Sequence, residues 1–186
     1  GIVAKRLAQI MIDHGMRPDA VTLTLGRYAV DEGTATQSVV FIDGSEGASV
    51  QMAPCCRPIP GDTVVGYLGR GEGLVVHTRD CQVGRRLFER DSERWMQVEW
   101  AEDLARPFDT TVLVLVRNGK GVLAQVAAAI AAAEADIIHL DMDPERATDS
   151  AELKLLISVR DRLHLAEVLR VVRRSPAVLR VTRVKP

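Results

Sequence analysis

The chain has 186 residues and a formal net charge of −1, with 47% hydrophobic, 26% charged and only 4% aromatic residues. This length accommodates one domain or two small ones, and the near-neutral charge excludes a general attraction to nucleic acid or membranes. No apolar run reaches the roughly 18 residues of a transmembrane helix, and no signal peptide is recognised. Three cysteines are too few for a secreted disulfide scaffold, which favours the cytoplasm. Because the chain begins with Gly1 rather than methionine, we expect a fragment of a longer protein.

The first 37 residues are predicted to form a linker with an N-terminal helix. Val3, Leu7, Ile10 and Met11 have the spacing of one apolar helical stripe, and the stretch after them is polar and weakly patterned.

Residues 38–107 are predicted to form a small β-rich module. The glycine-rich stretch "GRGEG" separates two β-branched runs, as expected for a hairpin. The predicted strands are 38–44, 48–53, 63–69, 73–78 and 95–100, with one helix over 79–95.

Residues 108–186 are predicted to form a second module with the element order β-α-β-β-α-β. This order is that of the ferredoxin-like sandwich, in which two helices cover one face of a four-stranded antiparallel sheet. The overall fold class is therefore expected to be α+β. The predicted strands are 110–117, 135–143, 151–161 and 177–185, and the predicted helices are 122–134 and 163–176.

Four residues of the first module have the chemistry of zinc ligands: Cys55, Cys56, His77 and Cys81. Zinc favours thiolate and imidazole in a tetrahedron, and the predicted hairpin would return His77 towards the cysteine pair. Both adjacent thiols can face one ion only through a turn, which Pro58 and Pro60 are expected to supply. In one alternative the cysteines are small buried hydrophobes, and in another Asp80 caps the following helix.

The turn "NGKG", which comprises Asn118, Gly119, Lys120 and Gly121, precedes a predicted helix whose first backbone N–H groups suit an anion. Asp136 on the next strand, or a backbone carbonyl of that strand, would meet an ammonium group, so that the two ends together would suit an amino acid. The alternative is an ordinary strand-to-helix turn that needs glycine in any case.

The C-terminal segment carries an excess of arginine. Arg170, Arg173 and Arg174 are predicted to lie on one side of the last helix, where they would suit RNA phosphates or an acidic partner. The alternative is a solvated surface. No recognised catalytic motif is present, so the sequence predicts no catalytic residue.

The stretch "APCCRPIPGD", followed by a Gly-x-Gly hairpin, His77 and Cys81, resembles the conserved-cysteine region of the long RelA/SpoT homologues. The stretch "NGKGVLAQVAAAIAAAEADI", with its βαββαβ frame, is similar to the ACT domain that ends those proteins. The helix in "KRLAQIMIDHG" resembles the linker helix upstream.

This resemblance implies a C-terminal regulatory region, with no enzyme activity of its own, from a protein that synthesises and hydrolyses (p)ppGpp in the stringent response. The implied partners are the catalytic domains of the same polypeptide, the ribosome and its RNA, an amino acid, and a second copy of the chain. The implied ligand contacts are residues 118–121 with Asp136 and Ile137. Zinc is implied only as one view of the cysteine module, and no other cofactor is expected.

Overall fold

The computed structural model describes residues 39–142 and 149–184. Their contacts divide the described chain into two units, one formed by residues 39–58 and 63–106 and the other by residues 59–62 and 107–184. The expected N-terminal linker and its helix lie outside the described residues. No described helix has the length and apolar character needed to cross a membrane.

The first unit is built on a five-stranded mixed sheet. Strands β3 and β4 form the expected hairpin, with Val65 opposite His77, and β5 pairs with the other side of β3. The two short outer strands add in parallel, β1 beside β5 and β2 beside β4. The strands are β1 (Val40–Ile42), β2 (Val50–Met52), β3 (Val64–Leu68), β4 (Leu74–Thr78) and β5 (Trp95–Trp100).

Helix α1 (Gln82–Arg90) is shorter than the helix expected over residues 79–95. It ends because Asp91 leaves helical geometry, with φ −155° and ψ 70°, and a 3₁₀ turn at Ser92–Arg94 then leads into β5. Alternating valine and leucine side chains of the sheet form the core of this unit: Val40, Ile42, Val50, Val64, Leu68, Leu74, Val76 and Val98.

The second unit confirms the ferredoxin-like prediction. Its four strands are antiparallel in the order β7-β8-β6-β9, so the first and third strands of the unit lie in the centre. The elements are β6 (Phe108–Arg117), α2 (Val122–Ala132), β7 (Asp136–Met142), β8 (Ser150–Val159), α3 (Arg162–Arg173) and β9 (Val178–Arg183). The expected α+β class is confirmed.

The periodicity of the sequence explains this second core. Every second residue of β6 is buried, from Phe108 to Val116, as expected for a strand with one face against a core. Val126 and Ile130 of α2 and Val168 and Val172 of α3 cover that face. In contrast, six of the seven residues of the edge strand β7 are exposed, including the apolar Ile138 and Met142.

Candidate metal centre

A tight turn presents the two adjacent cysteines. The carbonyl oxygen of Ala53 accepts hydrogen bonds from the backbone N–H groups of Cys56 at 3.3 Å and Arg57 at 2.8 Å. Arg57 has a φ of 42°, in the left-handed region that reverses a chain within a few residues. The turn therefore closes before Pro58, so the expectation that the prolines would supply it is wrong.

The hairpin and the start of α1 deliver the other two donors. His77 is the penultimate residue of β4, and the backbone N–H of Cys81 donates to the carbonyl of Thr78 at 3.0 Å. Cys81 is itself the N-cap of α1, because its sulfur accepts a hydrogen bond from the Gly84 N–H at 3.4 Å. The alternative in which Asp80 caps this helix is therefore wrong.

The four donor atoms lie within 4.8 Å of one another. Cys55 Sγ is 3.6 Å from both His77 Nδ1 and Cys81 Sγ, and Cys56 Sγ is 3.8 Å from His77 Nδ1. Two ligand sulfurs with Zn–S bonds of about 2.3 Å lie about 3.8 Å apart in a tetrahedral site. The spacing of the cluster therefore fits a tetrahedral ion of this size.

Burial favours the uncharged forms of Cys55, Cys56 and His77 while no cation is bound. It raises the pKa of the Cys56 thiol to about 12 and also raises the pKa of the Cys55 thiol. Burial lowers the pKa of the His77 imidazole below its usual value, which leaves the ring neutral as a metal ligand requires. A divalent cation would replace thiol protons and compensate the thiolate charges.

Two backbone N–H groups already point at cluster sulfurs, and sequence reasoning missed both residues that carry them. The Thr78 N–H donates to Cys56 Sγ at 3.4 Å, and the Gly84 N–H donates to Cys81 Sγ as described. Such bonds stabilise thiolates around a metal. The sequence offered one signal for such a contact, which is Gly84 itself. Glycine is unfavourable within a helix, so its presence there indicates a close approach of another group. A Cβ at Gly84 would lie 3.4 Å from the Cβ of His77.

The other candidate residues fall at separate places in the second unit. Asn118, Gly119 and Lys120 line an open cavity of about 1040 Å³ together with Arg117 and three residues of other segments: Asp149, Ser150 and Leu179. Gly121 does not line this cavity. Gly121 has a φ of 78° and is the N-cap of α2 without a side-chain hydrogen bond.

Asp136 and Ile137 do not lie at this loop. In the sheet, Arg117 pairs with Ser150 whereas Asp136 pairs with Ser158, at the opposite end of β8. Eight residues of strand separate these positions, or about 27 Å. One small ligand therefore cannot contact both groups within a single chain.

The expected basic side of the last helix is present. Arg170, Arg173 and Arg174 are exposed at the C-terminal end of α3. Arg170 is less available to a partner, because its guanidinium donates to the carboxylate of Glu167 at 2.6 Å.

Two family models match the chain. The RelA/SpoT RIS domain matches residues 40–101, and the ACT domain matches residues 104–183.

Known proteins of one group resemble the chain over most of its length. The bifunctional (p)ppGpp synthase/hydrolase SpoT of Escherichia coli is 34% identical over 165 residues, which cover 88% of this chain and 23% of that protein. The GTP pyrophosphokinase of Streptomyces coelicolor is 30% identical over 166 residues, which cover 89% of this chain and 19% of that protein. The chain thus spans about a fifth to a quarter of these relatives.

Proposed function

Because the chain belongs to the RelA/SpoT family through its RIS and ACT domains, we propose that it is a non-catalytic regulatory segment of a (p)ppGpp synthetase/hydrolase. In this proposal the segment works in the cytoplasm and controls catalytic domains elsewhere in the same polypeptide. The names of the relatives support the activity of the parent protein, and their much greater length supports the presence of further domains. The two modules are proposed as residues 38–107 and 108–186, after a linker over 1–37.

The closed donor set of the cysteine cluster is the observation that carries the non-catalytic assignment. Structural zinc sites use four protein ligands, whereas catalytic sites keep one position for water or substrate. Cys55, Cys56, His77 and Cys81 together supply four donor atoms within 4.8 Å of one another, the number that a structural site uses. A zinc ion held by them would cross-link the turn, the hairpin and the start of α1, and would activate no water.

The ACT module is proposed to sense an amino acid between two copies of the chain. The 118–121 loop offers N–H groups and a positive charge, and Asp136 offers a carboxylate about 27 Å away along the sheet. A second copy shortens this separation. If two β7 strands pair antiparallel about His139, Asp136 of one copy moves towards the end of the sheet that holds the loop of the other.

The edge strand supports this pairing. Among the described strands, β7 pairs only with β8, and Ile138 is 54% exposed at a bulge between Ile137 and His139. Exposed apolar edges are sites of strand addition in proteins. Ligand binding across such an interface would shift the balance of the parent's activities only if it favours one conformation.

Calorimetric titration of the chain with a panel of amino acids tests the sensor. We expect one or a few amino acids to bind, with Lys120→Ala and Asp136→Asn each weakening the binding. Val83→Ala, at an exposed position of α1 in the first unit, is the control. Lack of heat across the panel with folded protein would contradict the sensor.

A second test addresses the absence of catalysis. The isolated chain is incubated with GTP and ATP, and separately with ppGpp, and the nucleotides are separated by chromatography. We expect no turnover above the blank, and turnover that survives purification would contradict the regulatory assignment.

The alternative function is docking to the ribosome without a small ligand. The exposed cations Arg173 and Arg174 favour it, with Arg170 beside them. Binding through phosphates would weaken steeply with salt, and reversal of the three charges to glutamate would abolish co-sedimentation with ribosomes. Unchanged sedimentation of this triple variant would exclude the basic side of α3 as the contact.

A further inference from the structure

The short segment that follows the cysteine turn belongs to the second unit. By their contacts, residues 59–62 group with residues 107–184, although they directly follow Pro58 in the chain. Ile59 and Pro60 are both buried. Only Arg57 and Pro58 separate this segment from Cys56, so two candidate zinc ligands are joined by a very short link to a loop that is anchored elsewhere. None of the proposed functions uses this arrangement.

A buried ion pair holds the segment in place. The guanidinium of Arg183 donates from both terminal nitrogens to the Asp62 carboxylate, at 2.8 and 2.6 Å, and the two side chains are only 14% and 9% exposed. Arg183 Nε also donates to the Thr110 hydroxyl at 3.1 Å, and the Asp62 carboxylate accepts the Ile59 N–H at 2.9 Å. A bidentate pair fixes geometry closely, and loss of either partner leaves a buried charge. The pair therefore fastens the segment to the end of β9.

The first residue of α3 holds the same segment. The Arg162 N–H donates to the Pro60 carbonyl at 2.9 Å, and its guanidinium donates to the Gly61 carbonyl at 3.3 Å. The first N–H groups of a helix have no partner within the helix, so the segment satisfies one of them. The start of α3 and the segment are therefore ordered together.

Arg57 carries backbone strain between the segment and the ligands. Its φ of 42° is uncommon for a residue other than glycine, and a residue before proline favours extended geometry. Such a conformation persists only where contacts around it hold it. The Arg57 N–H bond to the Ala53 carbonyl holds it on one side, and the anchored residues 59–62 hold it on the other. Release of the segment would let Arg57 relax and would open the turn that presents Cys55 and Cys56.

We propose that Asp62 and Arg183 are positioning residues for the candidate metal centre, an inference that rests on the zinc site proposed above. Metal binding and the anchoring of residues 59–62 favour one another, because both require the same conformation of Arg57. Such coupling is reciprocal: the anchored segment raises metal affinity, and bound metal strengthens the anchoring by the same factor. Metal loading would in this way act on the order of the start of α3.

Zinc affinity of the full chain tests this coupling. Arg183→Met keeps much of the side-chain length and removes the guanidinium, so competition with a chromophoric chelator should give a zinc affinity at least about fivefold below that of the parent. Val116→Ala is the control, because it removes buried methyl groups from the same unit about 20 Å along β6 from Thr110. Its zinc affinity should equal that of the parent. An unchanged affinity in Arg183→Met, or an equal loss in Val116→Ala, would overturn the proposal.

Amide hydrogen exchange of the unmutated chain, with and without zinc, gives a second readout that needs no variant to fold. Zinc should slow exchange of the Arg162 N–H at least about fivefold. The Gln125 N–H, which donates to the Gly121 carbonyl at the start of α2, is the control and should exchange equally in both states. If zinc binds and does not slow the Arg162 amide, the coupling is wrong and the proposed metal site stands. A chain that binds no zinc would overturn both.

Discussion

The sulfur atoms of Cys55 and Cys81 lie 3.6 Å apart, although 26 positions separate the two residues in the chain. The tight turn after Ala53 fixes the first sulfur, and the start of α1 fixes the second. Cys81 has two roles in this arrangement, since its sulfur is a candidate ligand and also accepts the Gly84 N–H.

These two roles can be separated by mutation. Cys81→Ser keeps an oxygen acceptor for the helix cap and removes the thiolate, so zinc affinity should fall by at least about 100-fold while the fold is retained. Cys81→Ala removes both, and should cost about a further 1 kcal/mol of unfolding free energy. Competition with a chromophoric chelator measures affinity, and urea unfolding of the zinc-free chain measures stability. Equal zinc affinity of Cys81→Ser and the parent chain would exclude Cys81 as a ligand.

Gly66 is predicted to be intolerant of any side chain. A Cβ there would lie 2.5 Å from Val98 Cγ2 and 2.7 Å from Leu74 Cδ1, inside the core of the first unit. Gly66→Ala should therefore cost about 1–3 kcal/mol by overpacking. Gly119→Ala is the matched control, because its Cβ would find only Val122 Cγ2 at 3.5 Å. Urea unfolding should separate the two variants, and equal effects would contradict the packing described here.

Asp161 is predicted to stabilise α3 as its N-cap. Its Oδ1 accepts the backbone N–H of His164 at 2.8 Å. Asp161→Ala should cost about 1 kcal/mol of unfolding free energy, whereas Asp161→Asn keeps an acceptor and should cost only a few tenths. Thermal unfolding followed by circular dichroism distinguishes them. A larger loss in the asparagine variant would indicate that charge rather than capping matters at this position.

The edge strand β7 is predicted to carry self-association. Ile138→Lys places a charge on the exposed edge and should raise the dimer dissociation constant at least about tenfold, since the ammonium group would lose water on pairing. Leu163→Lys is the control, because Leu163 is 82% exposed on α3 and Ile138 is 54% exposed on β7. Sedimentation equilibrium measures both variants, and a parent chain that stays monomeric at every concentration would rule out this interface.

The sequence predicts the elements of the second unit closely because each has a clear period. Phe108 to Val116 alternate, and Val126 and Ile130 repeat at helical spacing, so local pattern and tertiary burial agree. The hairpin that carries His77 is predicted instead from the glycine-rich stretch between two β-branched runs. The prediction of four zinc-type donors in proximity depended on this hairpin, and the donors do lie together.

Other features depend on contacts that no local pattern encodes. The short strand β1 pairs in parallel with β5, almost 60 positions later, and three residues contain no signal for such a partner. The turn at the cysteines depends on the positive φ of Arg57, a conformation that arginine seldom adopts. The separation of Asp136 from the 118–121 loop follows from strand register, which appears only when the sheet is assembled.

The sulfur of Cys81 caps the N-terminus of α1 and also belongs to the set of candidate metal ligands. Any reaction at this sulfur therefore also affects the backbone of the helix. Alkylation or oxidation of Cys81 would free the Gly84 amide and loosen the first turn of the helix. Amide hydrogen exchange at Gly84 would then speed up before the sheet is affected. A chemical event at one thiol would in this way become a change in the order of a whole helical segment.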